Sequence, residues 1–556
     1  MSTVKPPPPA DAAAAASEPP RQQRRTVKRF LLACAGIALL SGAATAVFAV
    51  DELNRIVDAL GESKAVSITG KVLAHASSGG PQTLLLVGDD RRPPPKNNPN
   101  GFVVPHSNEM LLVRIDPSKP TISMLSIPRE LRVTIYPPHA PPVTNRINVA
   151  YTIGGIQLMT ETIKRVLGIS VNHVFVVTFP KFKRAVNEMG CVYMTVDRRY
   201  YHVNEPGGEQ YFEINLQPGY QRLCGQQALE FVANRHEDTS LTRDARDQRF
   251  LLEVKAQYGA TLFENREQFE RIFGRAVETD LHGSGQVLDL LRLLVASQGK
   301  PVRQVPFKVN LLATYDTATP QQISESVRSF LRGTAPIAKH KLTPPPRPAR
   351  RAKHSHSPAV VLTPTPSQAL AKARSASPDL PFAIEYPRAR DSYGGAQPDT
   401  LRAYRIRDQH GHSHPAYVAV IDRGPLGEFY DVQGTTWPDP PLLSNPGQTV
   451  RVGSRTYALF YAGEQVRVIA WREGNATYWI QNTLTNSVSP QTMLAMAEQT
   501  VPVIGSTSAA SNVNSSGARG FALPPRAANT ASLFDRVGAA LGFLGLIVLG
   551  ALAVLV

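Results

Sequence analysis

Gln82-Thr83-Leu84-Leu85-Leu86-Val87-Gly88-Asp89-Asp90-Arg91-Arg92 is the stretch on which the reading of this chain turns. Thr83 to Val87 is a short, nearly continuous apolar run, the pattern of a strand buried on both faces. Gly88 then lets the chain turn, and two carboxylates and two guanidinium groups emerge together at the strand's end. In layered α/β sheets that edge is where ligands bind. Working outward, further strands are expected at 110–115, 122–127, 174–178 and 192–196. Helices interleave, one over 155–167 stopped by Gly168 and one from Ala245 towards Phe263. The alternation argues an α/β layered fold.

The later strands end in the same chemistry. Ser126-Ile127-Pro128-Arg129-Glu130 closes the 122–127 strand, and Arg146-Ile147-Asn148 and the group Arg235, His236, Arg243, Arg246 and Gln248 come after it. A carboxylate able to hold a hard divalent cation beside several fork-shaped arginines is what a pyrophosphate demands. Taken singly, Asp90 is also an ordinary turn residue and the arginines an ordinary solvated helix face. Their joint arrangement after successive strands is what points to phosphate.

The rest of the chain places this unit. At 556 residues it holds two to four folded units, and 47 prolines with 39 glycines imply long connectors between them. Sixty Lys and Arg against 44 Asp and Glu give a net charge of +16, which favours anionic partners. Three cysteines exclude a Cys-rich zinc cluster and allow at most one bridge. Residues 30–50 form 21 uncharged residues behind Arg21, Arg24, Arg25, Lys28 and Arg29, long enough to span a bilayer core of about 30 Å. That run exceeds the apolar core of a cleaved signal peptide. Its basic flank is expected to stay cytoplasmic, which puts the chain after Asp51 outside the membrane. Residues 537–556 form a second uncharged run, so both termini are expected in the cytoplasm and the looped portion outside it.

Between the spans and at the N-terminus the expected organisation is a basic Pro/Ala-rich tail over 1–29, a membrane-proximal connector over 51–81, and a first domain over 82–333. A basic, Pro-rich linker over 334–379 should be extended. A small α+β accessory domain covers 380–503, with strands at 416–421, 449–452, 456–461, 466–471 and 476–479 and a helix at 490–500. A Ser/Asn/Ala-rich stalk covers 504–536. The accessory domain shows no chemistry in its residues, and a binding or spacing role is expected of it. His410, His412 and His414 alternate but are expected in a loop without metal, since no carboxylate stands at ligand spacing. Nucleic acid is not an expected partner, because the basic linker lies on the outer side and no stacking aromatics accompany it.

From Gln82 to about Tyr258 the ordered motifs resemble the LytR-CpsA-Psr family of bacterial cell-wall phosphotransferases. They are Leu84 to Arg92, Ser126 to Glu130, Arg146-Ile147-Asn148-Val149-Ala150-Tyr151, Leu223-Cys224-Gly225-Gln226-Gln227-Ala228-Leu229 and Arg243-Asp244-Ala245-Arg246-Asp247-Gln248. The resemblance implies a central mixed β-sheet flanked by helices. It also implies transfer of a glycopolymer from a polyprenyl-pyrophosphate carrier to peptidoglycan at the cytoplasmic membrane, with Mg2+ or Mn2+ on the pyrophosphate. In those terms Asp90 and Arg129 are catalytic. Arg92, Arg129, Arg235, Arg243, Arg246 and Gln248 bind the phosphates, and Asp90 and Asn108 hold the metal.

The positions of Cys191 and Cys224 resemble the paired cysteines of actinobacterial members, which implies a disulfide in an oxidising exterior, two buried free thiols being the alternative. Four positions depart from the family's pattern. Asn108 stands where a second metal-binding aspartate is usual, Ala233 for an arginine, Ser240 for an aspartate, and Glu130 for the aspartate after Arg129. Glu109 is adjacent to Asn108, but strand alternation is expected to aim it at the opposite face. These departures keep two rivals in view: a weakened relative that binds lipid-linked precursors as a scaffold, and a hydrolase of the pyrophosphate. A transcription regulator is excluded unless residues 1–29 act, and they are too short and proline-rich to fold.

Overall fold

The computed structural model describes residues 72–90, 105–204, 213–234, 240–258, 277–281, 283–297, 300–312, 314–333, 360–392, 400–424, 428–462 and 465–503, with 66, 68, 69 and 521. Both expected spans and the tail lie outside these residues. Among the described residues no helix is long and apolar enough to cross a membrane.

The apolar run at 83–87 lies in strand β1 (Gln82–Asp89), buried along its whole length. It sits inside a six-stranded sheet with β2 (Ser107–Ile115), β3 (Ile122–Ser126), β6 (His173–Thr178), β11 (Glu278–Thr279) and β12 (Val302–Val305), in the order β11-β6-β1-β2-β3-β12. β1 runs parallel to β6 and antiparallel to β2, so the sheet is mixed. Burial on both faces explains why Leu84, Leu85, Leu86 and Val87 are all apolar instead of alternating.

One face is covered by α1 (Val149–Leu167) and α6 (Pro320–Arg332). Leu85, Val87, Met110, Leu112 and Leu125 share a core there with Ile156, Met159, Ile163 and Phe330. Each such side chain contributes roughly 1.5–3 kcal/mol on burial. Gly168 ends α1 in the left-handed region at φ 66, its N–H returning to the Lys164 carbonyl. The helix begins six residues before the expected start, because Gly154 and Gly155 kink it and hide the first turns from a periodicity reading.

Between β3 and α1 lies a hairpin of β4 (Arg132–Ile135) and β5 (Val143–Arg146). After β6 come α2 (Phe179–Met189), β7 (Val192–Val196), β8 (Tyr200–His202), β9 (Ile214–Leu216), β10 (Gly219–Leu223), α3 (Gly225–Ala233) and α4 (Ser240–Tyr258). β7 pairs with β10 and β8 with β9. Cys191 and Cys224 form a disulfide that fastens the end of α2 to the start of α3, with a sequence separation of 33 and Cα atoms 4.4 Å apart. Helix α5 (Ser284–Ala296) and a short pair, β13 (Asn310–Leu311) and β14 (Asp316–Thr317), complete this domain.

The accessory region is larger than its sequence suggested. Seven antiparallel strands form one sheet: β18 (Thr400–Arg407), β19 (Ser413–Gly424), β20 (Glu428–Thr435), β21 (Gln448–Val452), β22 (Arg455–Ala462), β23 (Gln465–Glu473) and β24 (Ala476–Gln481). The order is β18-β19-β20-β24-β23-β22-β21. β18 and β20 were not anticipated, since Arg402, Arg405, Asp431 and Gln433 interrupt their apolar pattern.

The reading of 334–379 as an extended linker is corrected at its C-terminal end. β15 (Thr363–Pro364) and α7 (Ser367–Ala376) belong to the second domain, and Ala369 and Ala373 are buried in its core with Tyr457 and Trp471. Lys372 and Arg374 face solvent on the same helix, so the basic charge that suggested a tether is one side of an amphipathic element. Near the end of the domain, β16 (Ile384–Pro387) pairs with β25 (Thr500–Val503), β17 (Ala389–Arg390) with β15, and α8 (Pro490–Glu498) caps the sheet. Phe521, within the stretch expected to be a free stalk, packs on Phe460 with ring centroids 6.2 Å apart and lies under the Arg472 guanidinium.

The other face of the seven-stranded sheet packs against the first domain. Tyr193 of β7 and Tyr220 of β10 share a buried cluster with Trp437, Leu442, Phe460, Val468 and Trp479. Tyr193 stands edge-on to Trp437 and Tyr220 edge-on to Trp479. The two domains are therefore joined by an apolar core.

Candidate functional site

The site forms where β1 and β3 end and β2 begins. Asp90, Arg129 and Glu130 follow strand ends, and Asn108 lies at the start of β2. Asp89 is fully buried and accepts a hydrogen bond from the Tyr151 hydroxyl at 2.9 Å. Asp90 lies just outside, its Oδ1 accepting from the His106 backbone N–H at 2.7 Å, with His106 Nδ1 3.8 Å from Oδ2.

The centre of the site is Glu130. Arg129 Nε lies 2.5 Å from Glu130 Oε1, and Arg243 Nη2 lies 3.3 Å from Glu130 Oε2. Arg129 also donates from Nη1 to Asn108 Oδ1 at 2.7 Å. Four of the sequence-derived positions, 108, 129, 130 and 243, thus converge from three elements. Burial alone would raise the Glu130 carboxyl, but Arg243 and Arg129 overcome it and hold the group down to about 2. Arg129 is pulled down by burial and by Arg243, against which Glu130 and Glu109 act.

The β1–β2 register shifts between Gly88 and Asp89: Gly88 pairs with Glu109, Asp89 with Ser107, and Asn108 is the extra residue. A bulge breaks strict alternation here, and Arg129 hydrogen-bonds Asn108 and feels the Glu109 charge through space.

Helix α4 supplies the remaining groups from the opposite side. Gln248 Nε2 donates to Ser126 Oγ at 2.6 Å, tying the helix to the end of β3. Arg246 is fully buried, its Nη2 donating to the Asn234 carbonyl at 2.6 Å and its guanidinium lying 5.1 Å from the Tyr200 ring and 5.5 Å from Phe231. These contacts fasten Arg246 to the end of α3. Arg146 bonds the Thr314 carbonyl and lies over Tyr315. Its neighbour Asn148 reaches the site through its backbone N–H, 3.4 Å from the Arg129 carbonyl. Arg92 and Arg235 lie outside the described residues, as does the side chain of Ser240. Among the described residues no three His, Cys, Asp or Glu side chains gather closely enough to hold a metal ion by themselves.

Sequence reading missed Arg249 and Glu253. Arg249, buried on α4, donates to Asn486 Oδ1 at 2.7 Å, and Glu253 pairs with Arg467, both partners belonging to the second domain. The signal was present as charged residues at i and i+4 in a helix that also carries buried Phe250, Leu251 and Val254. His410, His412 and His414 prove to surround a carboxylate that sequence spacing did not credit. Asp408 accepts from the His410 and His412 backbone N–H groups, and the rings of His412 and His414 lie 3.1 Å from its Oδ2.

Glu130 gives a pH prediction with a definite sign. Its folded value is depressed below the unfolded one, so its ion pairs contribute fully above about pH 4.5 and are lost as pH falls towards 2. The contribution is on the order of 3 kcal/mol for a group this well covered. Melting temperatures of the wild type and Glu130→Gln should differ at pH 7 and converge as the pH is lowered towards 2. A gap that persists unchanged down to that pH would show that the ion pairs add nothing.

Fold and site together define a class: an α/β protein whose sheet edge gathers arginines about a carboxylate, an arrangement suited to binding phosphates. Within it, the chain belongs to the LytR_cpsA_psr family, whose model matches residues 46–328. Among curated proteins it is 31% identical over 132 residues to the polyisoprenyl-teichoic acid–peptidoglycan teichoic acid transferase TagV of Bacillus subtilis, covering 24% of this chain and 33% of TagV. To TagT of the same organism, which carries the same transferase description, it is 31% identical over 147 residues, covering 26% of this chain and 44% of TagT. The chain thus spans between a third and a half of the length of these relatives. Among solved structures it matches TagT bound to LIIa-WTA with 22% identity and a TM-score of 0.36, over 49% of this chain and 98% of the other. The LytR-Csp2A-Psr enzyme from Actinomyces oris matches with 16% identity and a TM-score of 0.37, over 48% of this chain and 95% of the other.

Proposed function

We propose that this chain is a membrane-anchored phosphotransferase acting outside the cytoplasm, moving a glycopolymer from a polyprenyl-pyrophosphate carrier to peptidoglycan. The observation that carries the reading is the Arg129–Glu130–Arg243 cluster at the sheet edge of a chain of this family. The transferase descriptions of TagV and TagT support the substrate class. The disulfide supports an oxidising location.

Each group has a task in that reaction. Ionised Glu130 sets the forks of Arg129 and Arg243 before the donor arrives, so little reorganisation is needed when phosphate charge meets them. Arg129 and Arg243, joined by Arg92 and Arg235, neutralise the pyrophosphate. Arg246 and Gln248 position the elements that carry them. The acceptor hydroxyl oxygen forms a new bond to the phosphorus bearing the polymer and gives its proton to Asp90. The bond from that phosphorus to the bridging oxygen breaks, and polyprenyl phosphate leaves.

The donor set fits magnesium, or manganese. Asp90 and Asn108 offer hard oxygen atoms, with Glu109 beside them, and magnesium is ordinarily held by one or two carboxylates plus substrate phosphates. When bound, the ion supplies further neutralisation of the pyrophosphate charge. One observation favours a second reading, donor binding without turnover: the Asn108 oxygen is engaged by Arg129.

The test is turnover of a labelled polyprenyl-pyrophosphate glycan by the full chain in lipid nanodiscs, with peptidoglycan fragments as acceptor. Transfer that requires magnesium and stops with a chelator is expected. Tight donor binding with no product, unrescued by Asn108→Asp, would establish the second reading. Release of phosphate without transfer would make the protein a hydrolase.

A further inference from the structure

Helix α4 is held from two sides. Arg243 and Gln248 reach Glu130 and Ser126 at the site, while Arg249 and Glu253 reach the second domain. Arg249, Glu253 and Gln257 succeed one another at four-residue spacing and so form a single stripe on the helix. Gln257 exchanges hydrogen bonds with both backbone groups of Tyr193, itself in the apolar seam between the domains.

The receiving surface is built to be stiff. Asn486 sits in the left-handed region at φ 55, its N–H bonded to the Thr483 carbonyl. Asn482 ties the same loop to the Val466 and Val488 carbonyls. Thr483 offers its carbonyl to Arg249 as well, at 3.5 Å. Next to this contact, Gln433 of β20 accepts from the Tyr220 N–H at 2.9 Å and donates to the fully buried Asp431.

From this arrangement we infer that the seven-stranded domain is a fixed wall that sets the placement of α4, making Arg249 and Asn486 positioning residues for the phosphate-facing Arg243. The inference rests on the transferase reading for its effect on turnover, but not for its effect on phosphate binding. Its physical basis is that a helix clamped along one stripe cannot slide or roll, and catalytic groups misplaced by about 1 Å can cost on the order of a hundredfold in rate. The second domain is then part of the working site and more than a spacer.

Asn486→Gly tests it most cleanly. Glycine keeps the left-handed backbone and removes the side-chain amide whose oxygen accepts from Arg249. Arg249→Met, which keeps the stem, and Arg249→Lys, which keeps the charge without the fork, accompany it. With the full chain in nanodiscs, well below the melting temperature, Asn486→Gly should lower kcat about tenfold with the acceptor KM unchanged. It should also weaken binding of inorganic pyrophosphate severalfold and speed amide exchange in 240–258. Arg249→Lys should recover part of what Arg249→Met loses. Faster exchange with unchanged kcat and pyrophosphate affinity would overturn the inference, as would no change in any of the three. If the wild type binds pyrophosphate but does not turn over donor, the transferase reading fails, and a loss of pyrophosphate affinity in Asn486→Gly still upholds the clamp. A wild type that does neither removes both.

Discussion

Arg129→Ala should lower transfer by at least a hundredfold while leaving the fold in place. The side chain spans the centre of the site, bonded on one side to Glu130 and on the other to Asn108. In the proposed reaction it faces phosphate charge, and loss of one preorganised donor at such a position costs on the order of 10²–10³ in rate. The substitution also leaves the Glu130 carboxylate with Arg243 as its remaining described ion-pair partner and takes the donor from Asn108 Oδ1. An unmade bond to a buried polar group costs about 1–3 kcal/mol, so a modest fall in melting temperature should accompany the loss of activity. Arg129→Lys should not restore turnover, because one ammonium cannot serve Glu130 and Asn108 through a planar fork. Steady-state rates measured beside thermal melting separate the two effects. An alanine variant that keeps more than a tenth of wild-type turnover would remove Arg129 from the reaction.

Breaking the Cys191–Cys224 disulfide should have the largest effect on stability. The bond closes 33 residues, for which the loop-entropy model gives about 3–4 kcal/mol. For a domain of this size that corresponds to a fall in melting temperature on the order of 10 °C. The structural setting adds to the cost. Cys191 is itself in the left-handed region at φ 68, its N–H bonded to the Val186 carbonyl, and its own carbonyl accepts from the Tyr258 hydroxyl at the end of α4. Releasing the bond therefore loosens the far end of the helix that carries Arg243. Melting of the full chain with and without reductant, compared with the Cys191→Ala/Cys224→Ala double variant, measures it. Reduced, oxidised and double-variant protein melting within about 2 °C of one another would show that packing alone holds this region.

Much of this molecule is written locally. The apolar run at 83–87 reads as a strand buried on both faces and is one, although the strand carries on through Gly88 to Asp89, both paired with β2 and β6, before the chain leaves the sheet. Gly168 ended its helix as read, since a left-handed terminal residue is a property of one position. Ordered motifs carried the family, because each is a short run of neighbouring residues, whether in a strand, a turn or a helix. Patterns of two to four residues survive in the one-dimensional text.

Other features had no local signature. Glu130 and Arg243 are 113 residues apart, and only the packing of α4 across the ends of β1–β3 makes them a pair. The bulge at Asn108 depends on how β2 pairs with β1, so a reading of β2 alone does not show it. A basic, proline-rich stretch was read as a tether because charge and proline are what composition reports, whereas Ala369 and Ala373 count only once a core exists to receive them. The seam between the domains is the extreme case: Arg249 and Asn486 are 237 residues apart. The sequence by itself determined which strands end in carboxylates and arginines, since burial period and turn chemistry act over neighbouring residues. Which of those groups meet, and that a second domain braces the helix presenting one of them, was decided by tertiary packing, because it depends on burying surfaces that are contiguous only in space.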